Sequence, residues 1–228
     1  MKKTTIVAFL LLTSSKLLAS GVDSQIDQLE SEWAKIYYSE NSEQHNHYPH
    51  LIKKAKKISE EHPHAVEAII WQAIIIATNA AYESPFKALS SIETAKELLE
   101  QSIKTQPEAL EGAAFVVLAT LYYMSPGWPI SFGNQNRAEL LFKEALKINP
   151  SSIDSNYFYA DYLLSKDEVK DAQVYFKRAI SAPVRHNQVY ADTQLQEEAR
   201  TALINSQQRT LDKGRNKFLS LFTSANAE

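Results

Sequence analysis

The residue types that most often carry chemistry are scarce in this sequence, and cysteine is absent. No cysteine occurs among the 228 residues, which excludes disulfides, thiolate zinc sites and a cysteine nucleophile. Five of the six histidines fall within residues 45–64, and His47 and His50 have the i, i+3 spacing that would place two metal ligands on one helix face. No acid stands at the spacing of an HExxH zinc site, and Pro49 and Pro63 interrupt the run. We therefore expect surface histidines and no metal centre.

Motifs that build catalytic sites are missing as well. The sequence has no GxSxG nucleophile elbow, no GxxxxGK[ST] phosphate loop and no GxGxxG dinucleotide turn. Asp161 with Asp167 or Glu168 could be paired as carboxylates, but acids near a helix end also occur by chance in any helical protein. The sequence predicts a protein that is not an enzyme and that carries no cofactor.

The segment from Pro126 to Gly133 holds residues well suited to binding. It contains two of the five glycines, two of the eight prolines and one of the three tryptophans. The Pro-Gly and Trp-Pro pairs restrict the backbone on either side of Trp128, so the loop should be stiff. Trp128 and Phe132 then have two possible roles. They fold back to fill a groove between helices, or they form one wall of a ligand site.

The elements that must position these residues are helices with a repeated apolar face. Three sets of five residues share one spacing, the second and third being 34 residues apart: Ala95, Leu98, Leu99, Ser102 and Ile103; Ala138, Leu141, Phe142, Ala145 and Leu146; Ala172, Tyr175, Phe176, Ala179 and Ile180. A proline follows each set, at Pro107, Pro150 and Pro183, and cannot continue a helix. The small residues would let a second helix approach closely, while Phe142 or Phe176 fills the space beside it.

This pattern predicts nine helices and few strands, since glycine and proline are rare. The expected ranges are about 23–40, 47–61, 64–83, 90–105, 109–124, 135–148, 152–165, 168–181 and 189–212. Ser90 with Glu93, and Ser151 with Asp154, have the spacing of capping boxes. The last helix is polar, as expected of one whose outer face meets water. The tail after Lys213 should fray or dock through its apolar residues.

A 34-residue helix–turn–helix unit of this kind resembles the tetratricopeptide repeat (TPR). In that family the second helix carries Ala, an aromatic residue, Ala and a terminal Pro, as at Ala138, Phe142, Ala145 and Pro150. The run from Leu121 to Asn134, which includes PGWPISFG, is similar to a signature in a group of exported bacterial TPR proteins. More distantly, the chain resembles the T-component of tripartite (TRAP) solute transporters, although it lacks a lipidation cysteine. The resemblance implies an all-α, TPR-like α-solenoid of about four helix pairs plus a C-terminal capping helix.

The resemblance also implies a binding face. In TPR arrays the first helix of each pair lines the concave side, and the matching positions here are Ala113, Val116, Thr120, Tyr123, Asp154, Tyr157, Asp161 and Leu164. Tyrosine offers a large contact area together with a hydroxyl group. Asp154 and Asp161 are seven residues apart, so both would face one side of a helix and could hold a basic group. The alternative is that the acids are solvated and that Tyr157 belongs to the core.

Residues 1–21 have the composition of a signal peptide. Lys2 and Lys3 precede an apolar run from Ile6 to Leu12, and small residues follow at 19–21. The run is far shorter than the ~20 residues of a spanning helix, and no cysteine follows that could carry a lipid. We expect cleavage between residues 19 and 22, a periplasmic or secreted protein, and no stable membrane insertion.

The sequence therefore predicts four segments: a signal peptide at 1–21, a divergent helix pair at 22–63, TPR-like repeats at 64–183, and a capping helix with a tail at 184–228. The net charge of −3 becomes −6 once three lysines leave with the signal peptide, so no basic excess favours nucleic acid. We expect a scaffold that binds a peptide or protein segment through Tyr123, Trp128, Phe132, Asp154, Tyr157, Asp161 and Leu164. The alternative is a periplasmic small-molecule carrier or chaperone of the T-component type.

Overall fold

Helices form the secondary structure of the described chain. The computed structural model describes the backbone of residues 6–207 and the side chains of residues 21–206 apart from Ser42. Its α-helices are α1 (Ile6–Tyr37), α2 (Tyr48–Glu61), α3 (Val66–Asn79), α4 (Pro85–Thr105), α5 (Ala113–Met124), α6 (Gln135–Ile148), α7 (Ile153–Ser165), α8 (Val169–Ser181) and α9 (Val189–Gln207). Within residues 6–207 no strand occurs, although Gly127 and Gly133 form an isolated bridge. The predicted all-α class is confirmed.

The two N-terminal capping residues predicted from the sequence, Ser90 and Ser151, do not cap their helices. α4 begins at Pro85, because proline at the first helical position already has the helical φ angle and needs no N–H partner. Ser90 therefore lies inside α4 and does not cap it. The cap of α7 is Ser152, whose hydroxyl accepts from the backbone N–H of Ser155 at 3.2 Å, and not Ser151.

The predicted start of α5 is also too early. Leu110, Glu111 and Gly112 have positive φ angles of 47°, 56° and 84°, which an α-helix does not accommodate, so α5 begins at Ala113. Glycine suits the last of these positions for a second reason. A Cβ atom at Gly112 would lie 3.1 Å from the Cδ1 atom of Ile148, where α6 packs against the turn.

The repeated apolar faces lie in the core, as predicted. Phe142 and Phe176 are fully buried, and so are the small residues at the first and fourth positions of the three sets: Ala95, Ser102, Ala138, Ala145, Ala172 and Ala179. The most extensive helix–helix contacts join α3 to α4, α5 to α6 and α7 to α8. Small side chains at these contacts allow the helices to approach closely, which agrees with the pairing that the sequence predicts.

The odd-numbered helices are linked in a ring. α1 packs against α3, α3 against α5, α5 against α7 and α7 against α9, and α9 returns to contact α1. At the return contact Asn187 Nδ2 donates to Asp27 Oδ1 at 3.1 Å across 160 residues of sequence. The rings of Tyr38 and Tyr190 also meet edge to face there, with centroids 6.1 Å apart. We refer to α1, α3, α5, α7 and α9 as the ring helices.

The described helices include none that is both long and apolar enough to pass through a membrane. The first five residues of the predicted signal peptide lie outside the described residues, as do the side chains of residues 6–20. The predicted cleavage position, between residues 19 and 22, falls within α1. The predicted behaviour of the tail after Lys213 also concerns residues outside the described range.

Candidate functional site

The ring helices surround a largely apolar cavity of about 100 Å³. All five ring helices contribute to its walls, together with the loop between α8 and α9. Most of the wall is aromatic or aliphatic and includes Trp33, Tyr37, Tyr38, Trp71, Ile74, Val116, Val117, Phe158 and Leu195. Four charged side chains also line it: Glu30, Asp154, Arg185 and Asp192. A concave, mainly apolar space with a few polar groups is the usual form of a small-molecule site.

Aromatic rings of α1 and α3 form one wall of the cavity. Trp33 and Tyr37 are one helical turn apart, so they share a face of α1 and stack with ring centroids 4.9 Å apart. Trp71 of α3 lies with its centroid 5.4 Å from that of Trp33, and Trp33 Nε1 donates to Thr78 Oγ1 at 3.1 Å. The Nε1 atom of Trp71 is buried and has no hydrogen-bond partner among the described residues.

Arg185, in the loop before α9, binds two carboxylates at one side of the cavity. Its backbone N–H donates to Asp192 Oδ2 at 2.7 Å and its Nε to the same oxygen at 3.1 Å, while its Nη2 lies 2.8 Å from Asp154 Oδ2. Asp192 is fully buried and stands in the first turn of α9, where the helix dipole stabilises negative charge. Burial alone would lower the pKa of Arg185, but Asp154 and Asp192 outweigh it and raise that pKa. The arginine therefore stays charged and joins α7 to α9.

Glu30 of α1 faces this cluster without a partner of its own. Its side chain is 3% exposed and lines the cavity. Among the described residues, no group forms a hydrogen bond or an ion pair with its carboxyl group. Burial raises the pKa of Glu30 to about 7. The charge of Arg185 opposes this shift, and repulsion by Asp192, Asp27 and Asp154 adds to it. Near neutral pH the carboxyl group therefore exists in both charged and neutral forms.

A second cavity, of about 170 Å³, adjoins the first. Glu30 and Gln188 line both cavities, so they stand where the two meet. The other walls of the second cavity come from α1, from the α8–α9 loop and from the start of α9: Ser31, Ala34, Lys35, Asn187 and Tyr190. Glu30 can thus reach a group in either space.

Only one of the seven binding residues predicted from the sequence, Asp154, lines the apolar cavity. Tyr157 is buried at 3% exposure, and its hydroxyl donates to Glu198 Oε2 of α9 at 3.3 Å. Leu164 is half-buried against the main core. At α7, therefore, the face that the sequence assigns to a partner is largely covered by α9. The core position that the sequence left open for Tyr157 is the one observed.

Tyr123 and Asp161 lie together, and neither lines the cavity. The ring of Tyr123 meets the ring of Tyr162 edge to face, with centroids 5.6 Å apart. Burial raises the pKa of Tyr123, and the nearby Asp161 raises it further. Asp161 therefore acts on a tyrosine of its own fold.

The loop from Pro126 to Gly133 separates its two aromatic residues. Trp128 is 90% exposed, so it does not fill a groove. Phe132 is half-buried, packs against Tyr122 and lies 4.8 Å beneath the Nζ atom of Lys96. A Cβ atom at Gly133 would lie 2.0 Å from the backbone oxygen of Ser125, just before the loop, so only glycine fits there. The loop is closely packed at its base and presents Trp128 to solvent.

Sequence reasoning missed Glu30, Arg185 and Asp192, although two of them had a readable signal. Glu30 stands four residues after Ile26 and three before Trp33, inside the apolar stripe of α1. Asp192 likewise stands three residues before the buried Leu195 of α9. An acid within an apolar stripe indicates a buried polar site, because burying a charge is costly without compensation. Arg185 lies in a loop, where no periodicity marks it.

Comparison with known proteins does not assign the chain to a family. No protein-family model matches the chain, and no curated protein matches its sequence. The cavity and its charged side chains are therefore the observations from which a function can be inferred.

Proposed function

We propose that the protein is a TPR-like binding protein that holds a small molecule between its ring helices. The cavity bounded by all five ring helices carries this proposal, since the buried Glu30 side chain lines it and has no hydrogen-bond or ion-pair partner among the described residues. α9 contacts α1 and covers Tyr157 of α7, which leaves less room for an extended peptide than an open groove would. A carrier or chaperone of small molecules therefore fits better than a peptide scaffold.

The proposal includes the repeat architecture and the compartment. Close pairing of α3 with α4, α5 with α6 and α7 with α8, through buried alanines, supports a TPR-like solenoid. The basic, apolar and small-residue parts of residues 1–21 support a cleaved signal peptide and a periplasmic or secreted location. The acidic net charge supports a partner other than nucleic acid.

Native mass spectrometry of protein purified without denaturation tests the binding proposal. We expect a bound small molecule that is released when the protein is unfolded. Val117→Phe places a ring in the cavity and should abolish the extra mass, whereas Val174→Phe, on the exposed face of α8, should retain it. Circular dichroism would verify that both variants fold. A protein that carries no small molecule, or two variants that retain it equally, would contradict the proposal.

A second candidate function, docking of a protein partner, is favoured by the Trp128 loop. Trp128 and Ile130 are 90% and 65% exposed on a closely packed base, and exposed tryptophans are frequent anchors of protein interfaces. A photo-crosslinking residue at position 128 should capture one defined protein in an extract of the native compartment. Mutation of Ile130 to Ala should weaken that capture, whereas Val117→Phe should not. Equal capture by all three proteins would argue against docking through this loop.

A further inference from the structure

We propose that the ligand of this site is a small primary amine, whose ammonium group pairs with Glu30 while a short apolar body occupies the aromatic cavity. This inference rests on the proposed function, since it names the chemical class of the molecule that the cavity binds. It follows from the charges that line the cavity, from the size of the cavity, and from the aromatic rings in its wall.

The charges lining the cavity leave one carboxyl group uncompensated. Three carboxyl groups and one guanidinium group line it. The guanidinium group of Arg185 is already shared between Asp192, at 2.5–3.2 Å, and Asp154, at 2.8 Å. Glu30, 3% exposed, is the acid that remains without a partner among the described residues. A bound cation would compensate Glu30, whereas a bound anion would meet three acids and an arginine that is already occupied.

The size of the cavity limits the apolar body. Its volume of about 100 Å³ is smaller than the ~150 Å³ engineered cavity that holds benzene. A branched body of four or five carbons therefore fits better than a fused ring system. The aromatic side chains of Trp33 and Tyr38 also line the cavity, and aromatic rings attract an ammonium group as well as an alkyl chain. The ligand's head group can extend past Glu30 into the second cavity, which Glu30 also lines.

The protonation of Glu30 supports the same conclusion and makes it measurable. The charged groups around Glu30 are Asp27 and Lys35 on its own helix, Asp154 on α7, Arg185 in the loop and Asp192 on α9. Because the pKa of Glu30 is raised to about 7, the carboxyl group is mostly neutral at pH 5.5 and mostly charged at pH 8. An amine should therefore bind more tightly as the pH rises through this range, while a neutral ligand should not change.

Calorimetric titration of the purified protein with three matched compounds tests the inference. The probes are 3-methylbutylamine, 3-methylbutan-1-ol and 3-methylbutanoate, which share one apolar body and differ in the charge of the head group. At pH 8 we expect the amine to bind about 10- to 100-fold more tightly than the alcohol, and the carboxylate to bind most weakly. The Glu30→Gln variant should lose this preference for the amine and keep the affinity for the alcohol.

A control variant on the same helix separates charge recognition from a general effect of substitution. Glu32 of α1 pairs with Lys54 at 2.7 Å and does not line the cavity, so Glu32→Gln should bind the amine as the unmodified protein does. If the alcohol binds as tightly as the amine, the charge inference is wrong while the cavity remains a binding site. If none of the three compounds binds at about 10 mM, the amine inference fails, while the proposed function fails only if the native mass spectrum also shows no bound molecule.

Discussion

Replacing Glu30 with glutamine should change how the stability of the protein depends on pH. The folded state raises the pKa of this group from 4.5 to about 7, so the folded protein holds its proton more tightly than the unfolded chain does. That contribution to stability is fully present below pH 4.5 and is lost as the pH rises through 7. At about 1.4 kcal/mol per pKa unit, the loss amounts to roughly 3 kcal/mol. The Glu30 side chain is 3% exposed but lines two cavities large enough to hold water, so this value is an upper one.

Urea unfolding of the protein and of Glu30→Gln between pH 4.5 and 8 measures this difference directly. Glutamine does not ionise, so the variant should match the protein at pH 4.5 and be more stable by roughly 3 kcal/mol at pH 8. For a chain of this length the gain corresponds to about 6–12 °C in melting temperature. Taking the difference between the two proteins cancels the titration of every other group. The Glu32→Gln control, at a partly exposed ion pair with Lys54, should differ by less than about 1 kcal/mol at every pH.

The outcome that would refute this reasoning is a difference that stays constant between pH 5 and 8. A Glu30→Gln variant that is less stable than the unmodified protein at pH 8 would also refute it. Either result would require the Glu30 carboxylate to be charged and well compensated in the folded state. The amine inference would then lose its basis, because an acid that is already compensated has no need of a bound cation.

Three further predictions concern the packing and the charged cluster. Ala145→Leu and Ala179→Leu each place a larger side chain in a fully buried helix contact. Each should therefore lower the free energy of urea unfolding by about 1–3 kcal/mol. A change below about 0.5 kcal/mol would mean that these contacts have spare room. Asp192→Asn should lower the free energy of unfolding by about 1.5–3 kcal/mol, because it weakens the pair with Arg185. Asp171→Asn, on the exposed side of α8, should leave that free energy unchanged. Equal losses in the two variants would contradict a special role for the Arg185–Asp192 pair. Trp128→Ala should leave the melting temperature within about 1 °C, because the ring is exposed, and a fall of several degrees would show that the ring packs in solution.

Much of the fold could be predicted because its signals are local. The buried positions of Phe142 and Phe176 follow from the 3.6-residue period of a helix, and the ends of α4, α6 and α8 follow from nearby prolines. The errors lie where two local signals compete. Ser90 has the spacing of a capping box, but Pro85 begins the same helix five residues earlier.

The sequence by itself determined an all-α chain with paired helices and with alanine-lined contacts, because helical periodicity and proline stops act over short distances. Only the tertiary structure decided that α9 returns to α1, since that contact joins Asn187 to Asp27 across 160 residues and depends on how each successive helix pair is oriented. The return contact buries Glu30 beside Arg185 and turns an expected open groove into a cavity. No local pattern encodes that closure. The sequence did place Ala113, Val116, Thr120 and Asp154 on the expected binding face, and these residues line the cavity, but it marked Glu30 only as an acid within an apolar stripe.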